Sequence, residues 1–91
     1  MSELDGDWEL RRLSGALPPL GALRKRIHGE RGETVLPGGL ALPFRVVGRE
    51  LRYRPPLTPL VDVLAPDGDG WRGRATVFGR TVGEFRMTRA T

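Results

Sequence analysis

"DGDGWRGRATVFGRTVGEFRMTR", residues 67–89, decides how this chain folds. From Trp71 the side chains alternate, with Trp71, Gly73, Ala75 and Val77 set against Arg72, Arg74 and Thr76. A period of two marks a half-buried strand. Residues 82–89 alternate in the same way, and Gly79 supplies a turn between the two runs. A two-residue Gly79-Arg80 loop would mix Phe85 and Met87 with Arg72 and Arg74. A three-residue loop over 79–81 gathers Trp71, Gly73, Ala75, Val77, Phe85 and Met87 on one face. The other face then carries Arg72, Arg74, Thr76, Glu84, Arg86 and Thr88. Because a one-residue slip exchanges the faces, the three-residue loop is the expected one. It sets Arg89 across from Trp71, close enough for a cation–π contact.

The same reading extends upstream. Pro and Gly punctuate the chain about every ten residues, the spacing of a small all-β meander. "WELRRLSG" (8–15) fits a strand through Trp8 and Leu10 and a helix through Leu10, Leu13 and Leu17; Gly6 before it and Ser14-Gly15 favour the strand, and "GETVL" (32–36) reads as another. "LALPFRVV" (40–47) puts Leu40, Leu42, Phe44 and Val46 on one face, and "LRYR" (51–54) turns Leu51 and Tyr53 inward. Pro55, Pro56 and Pro59 interrupt the ladder, and "LVDVLA" (60–65) resumes it with Val61 and Val63 inside. One segment differs: "PPLGALRKRIHG" (18–29) spaces Leu20, Leu23 and Ile27 at i, i+3 and i+7. Proline precedes that run, Gly29 follows it, and a basic cluster lies near its end. These signals predict a short helix over 18–28. The expected fold is therefore mostly β: a single domain, 1–91, forming a small antiparallel barrel or half-barrel of six to seven strands with one short helix in the N-terminal region.

Ninety-one residues support one thin core, which dimerisation would help. Absent cysteine rules out disulfides and thiolate metal sites, and is compatible with a reducing compartment. No signal-peptide pattern and no run of roughly 18 apolar residues is present, so the expected location is cytoplasmic. Net charge is +4, and fourteen of the fifteen basic residues are arginine, the exception being Lys25. The bias reads first as the codon usage of a GC-rich genome. The excess lies after Phe44, where nine arginines face five acids. Such a half suits either a solvated strand face or an anionic partner.

The acidic steps at 5–7 and 67–70 fail as calcium loops. In an EF-hand alignment of the second, Trp71, Arg72 and Phe78 stand where a ligand, a glycine and the bidentate carboxylate are needed. No phosphate-binding loop, dinucleotide fingerprint, nucleophile elbow or zinc motif occurs, so no cofactor or metal is expected. His28 reads as a cap at the end of the predicted helix. Asp62, a carboxylate in an apolar strand, either lies outward beside an arginine or points inward with a raised pKa. Tyr53 offers a hydroxyl to the interior. Nucleic-acid stacking needs aromatics among the basic residues, and the last hairpin's basic face carries only Phe78.

Gly6-Asp7-Trp8 opening the first strand, an early helix able to close one end, and an arginine (Arg86 or Arg89) in the last strand together resemble the calycin barrels. That group includes the lipocalins and fatty-acid-binding proteins; the opening also resembles bacterial GXWXG-type proteins, with Leu10 at the second glycine. The resemblance implies that Trp8, Trp71, Arg86 and Arg89 supply the Trp–Arg contact that shuts the barrel floor. It also implies a cavity, and the function expected is binding of an apolar or amphipathic small molecule in or on the barrel. Interior candidates are Leu42, Phe44, Val46, Tyr53, Asp62, Val77, Phe85 and Met87. Single-chain calycins are longer and have eight or more strands, so the expected barrel is partial, very small, or completed by a second chain as a homodimer. Two other classes stay open. One is an interaction module whose basic face meets nucleic acid or another anionic partner. The other is a small barrel cyclase or isomerase that uses Asp62, Tyr53 or His28.

Overall fold

Alternating apolar and charged side chains let a sheet bury one face only, and curling the sheet on itself completes that burial. In the computed structural model, which describes residues 3–15 and 23–90, eight strands do this. They are β1 (Gly6–Gly15), β2 (Arg24–His28), β3 (Arg31–Val35), β4 (Ala41–Val47), β5 (Glu50–Tyr53), β6 (Leu60–Asp67), β7 (Gly70–Val77) and β8 (Arg80–Arg89). Each pairs antiparallel with the next, and β8 returns to β1 to close the barrel. One chain therefore completes the sheet, and no second copy is needed to supply strands. No described helix is long and apolar enough to cross a membrane.

The strand count exceeds the expected six to seven, and the helix expected over 18–28 is corrected. Residues 18–22 lie outside the described residues, while 24–28 are β2. Two partner ladders outweigh the helical spacing: Ile27 sits between Gly6 of β1 and Gly32 of β3. Read with a period of two, Leu23, Lys25 and Ile27 share the inner face, and Lys25 is the polar member that masked the pattern.

The last hairpin shows a second correction. Trp71, Gly73, Ala75, Phe85 and Met87 do share the buried face. The turn, however, is the two-residue Phe78-Gly79 loop, with positive φ at both (50° and 80°). A bulge between Ala75 and Thr76 restores the inward register that such a loop would otherwise spoil. Beyond the bulge Thr76 is buried and Val77 only half-buried, so Val77 is not an interior residue of the expected kind. The pairing is Trp71 with Met87, and Arg89 stands opposite Trp8 instead. Phe78, at the tip, is 82% exposed.

An eight-stranded barrel leaves room for little more than its own side chains. Glycine opposite phenylalanine makes the interior fit. Gly32 pairs with Phe44 and Gly73 with Phe85, and each ring lies over the bare Cα. A methyl group on Gly73 would overlap the Phe85 ring. Gly73→Ala should therefore destabilise the fold by about 1–3 kcal/mol, the usual cost of overpacking, read as a lower urea midpoint at unchanged slope; an unchanged midpoint would show the ring is free to move away.

Candidate functional site

Both ends of the barrel are organised by buried side chains, with different chemistry. At one end Trp8, 1% exposed, donates its indole N–H to the Leu4 carbonyl at 2.8 Å. The Arg89 guanidinium covers the indole at 4.4 Å from its centroid and donates to the Asp5 carbonyl at 3.0 Å. Gly6 makes the approach possible: at φ 131° it offers no Cβ, and one placed there would lie 2.6 Å from Arg89 Nη1. Arg86 takes no part in this contact. The acidic turn after β6 holds it, through Asp67 at 3.2 Å and Asp69 at 3.5 Å. Trp71 is covered by Arg49, at 5.3 Å, not by Arg89.

Inside the wall lies a polar cluster. Lys25 on β2 extends along the interior and places its ammonium 2.7 Å from Thr34 Oγ1, 2.7 Å from Tyr53 Oη and 2.9 Å from Asp62 Oδ2. Tyr53 donates to Asp62 Oδ2 at 3.1 Å, and its oxygen lies 2.6 Å from Thr34 Oγ1. Three aromatic rings, Phe44, Tyr53 and Phe85, surround the ammonium at 5.4–5.5 Å. Phe44 meets Tyr53 edge to face. Four strands thus deliver one residue each to a common point, and no described buried polar side-chain atom is left unsatisfied.

Burial alone would lower the Lys25 pKa; the Asp62 carboxylate and the Tyr53 oxygen outweigh it and leave the value raised. Burial also raises Tyr53, against the opposing pull of Lys25. At neutral pH Lys25 is therefore an ammonium and Tyr53 a phenol. A lysine nucleophile needs a lowered pKa, and this lysine has the reverse.

Above the cluster lies a cavity of about 220 Å³ whose described walls are almost entirely apolar. Leu10, Leu23, Leu36, Leu42, Leu60 and Ala75 line it, with Phe85 and the four polar residues beneath. Of the sequence candidates, Leu42, Tyr53, Asp62 and Phe85 meet here. Phe44 is buried beside Lys25, Met87 is buried among the core residues, and Val46 packs half-buried against that core. Leu40 is exposed, and Val61 and Val63 are half-buried with Asp62 and Leu64 taking the inner positions. Sequence reasoning missed Lys25 and Thr34. His28 lies exposed on the outer wall opposite Arg31, not at a helix end. Glu84 pairs with Arg72 at 3.4 Å.

No family model matches the chain, and neither a curated protein nor a solved structure does.

Truncating either partner of a buried ion pair strands the other charge, at about 3–5 kcal/mol, whereas removing both is close to neutral. Asp62→Asn and Lys25→Met should each destabilise by roughly that amount, and Lys25→Met with Asp62→Leu should recover most of it; a double variant as unstable as the sum of the singles would contradict the pairing. A pH effect follows from the raised values. Folding protects a proton on both groups, so their stabilisation is complete below the ordinary values of 10.0 for Tyr53 and 10.5 for Lys25. It is lost as pH climbs through the higher folded values. Denaturation midpoints should stay level from this source at neutral pH and fall at alkaline pH, less steeply in the double variant.

Proposed function

We propose that the protein binds a small, electrically neutral, largely apolar molecule in the leucine-lined cavity of its barrel. The observation that supports this reading is an apolar cavity set on a charge-balanced polar floor. The driving force would be desolvation, roughly 25 cal/mol per Å² of apolar surface buried. At about 220 Å³ the space equals roughly seven waters of liquid volume. It is smaller than the range of about 300–1,000 Å³ usual for drug-sized ligands. A short-chain or single-ring compound suits it, not a long fatty acid.

Neutrality follows from the floor. The positive charge of Lys25 is already matched by Asp62, and the ammonium is enclosed by three oxygens and three rings. A ligand carboxylate would lose its hydration and find no free cation in return. A hydroxyl carries no charge and loses far less hydration on entry. A medium-chain alcohol should thus enter where the matching carboxylate does not.

Titration with hexanol and with hexanoate, followed by methyl NMR, tests the reading. Hexanol should shift the methyl signals of Leu10, Leu42, Leu60 and Ala75, with hexanoate weaker by about tenfold or more. Ala75→Leu, which fills the cavity, should abolish the hexanol shifts while the fold persists. Shifts from neither compound would contradict ligand binding, and tighter binding of hexanoate would contradict the neutral class.

A further inference from the structure

On the outer wall, away from the cavity, the register brings arginines together. Arg31 of β3 is directly opposite Arg45 of β4, and Arg45 is directly opposite Arg52 of β5. All three are exposed, and like charges placed opposite one another weaken a sheet. Arg52 is relieved by Glu50 at 2.9 Å. Arg31, Arg45 and nearby Arg54 have no carboxylate within 4.0 Å among the described residues. These three, with Glu30, line one surface hollow of about 360 Å³. Three guanidiniums against one carboxylate leave two positive charges there.

A second arginine row shows that this arrangement is not a general habit of the barrel. Arg72 is opposite Arg86, yet Arg72 is paired with Glu84 at 3.4 Å, and Arg86 with Asp67 at 3.2 Å and Asp69 at 3.5 Å. One row carries its own counter-charges; the other converges on a hollow without enough of them.

We propose that Arg31, Arg45 and Arg54 form a binding site for a phosphate group. Guanidinium forks match phosphate oxygens two at a time, and a tetrahedral group with several charged oxygens can accept from three forks at once. A single carboxylate satisfies one fork and neutralises one charge. No exposed aromatic residue lines the hollow, so it grips a phosphate without stacking on a base or ring. The site is independent of the interior cavity and shares no lining residue with it.

The test titrates the full chain at low salt with pyrophosphate, with citrate as a carboxylate control, with a 12-nucleotide single-stranded RNA, and with phosphatidylglycerol vesicles. Pyrophosphate should bind saturably and citrate at least about tenfold more weakly. Arg31→Gln and Arg45→Gln should each weaken pyrophosphate by about tenfold, the loss of one charge-assisted pair, while Arg72→Gln changes it by less than about twofold. Both site variants should unfold at no lower temperature than the parent, because each relieves a repulsion. The RNA and vesicle arms identify the source: tighter binding of RNA marks a nucleic-acid backbone, tighter binding of vesicles a headgroup, and neither a free phosphate compound. Absence of saturable binding by every phosphate probe would overturn the proposal. So would citrate matching pyrophosphate, or Arg72→Gln losing as much as Arg45→Gln.

Discussion

One ammonium inside a closed sheet organises this protein. Lys25 is 1% exposed, and an isolated cation at that depth would be too costly to keep. It persists because Asp62, Tyr53 and Thr34 arrive on three other strands within 2.9 Å of it. Those four strands meet at one point because the sheet curls strongly from β2 to β6. Closure and the buried charge therefore depend on each other: the β1–β8 ladder shuts the barrel, and the shut barrel holds water away from the ion pair.

The cluster also divides the interior. Below it Trp8, Ile27, Leu51, Leu64, Trp71 and Met87 fill the space to the end that Arg89 covers. Above it leucines leave a gap. A purely apolar barrel of this size could collapse onto itself, whereas the satisfied polar tier resists entry by its neighbours because displacing it would expose unpaired groups. The same tier makes the gap neutral. The outer wall follows a separate logic, with arginines recurring at outward positions and carboxylates beside some of them only.

Much of the wall was legible from period-two alternation: Phe85 and Met87 with Trp71, Gly73 and Ala75, and Phe44 with Leu42. The Gly6-Asp7-Trp8 opening was legible only through its resemblance to the calycin barrels, which left Arg86 and Arg89 as alternatives; the structure places Arg89 over Trp8. What stayed hidden was polar and inward. Lys25 interrupted the alternation of Leu23 and Ile27 and let a helical spacing compete; Asp62 was named as an interior candidate, yet the apolar pattern also put Val61 and Val63 inside, where Asp62 and Leu64 in fact point. A hydrophobic pattern cannot show two charges that cancel across four strands. One signal was available: the chain uses arginine fourteen times and lysine once, and the lone lysine is the buried base. A slim stem with a compact ammonium fits a space that a guanidinium fork would overfill. The bulge at Ala75/Thr76 was likewise invisible, because it cancels the turn's effect on register and leaves the buried face unchanged from Trp71 to Ala75.

The most direct measurement is the side-chain nitrogen NMR signal of Lys25. The structure requires a protonated ammonium whose hydrogens exchange slowly with water and show cross-relaxation to the Phe44 and Phe85 rings. An ammonium that exchanges as fast as a solvent-exposed lysine's, or helical backbone shifts across residues 24–28, would contradict it.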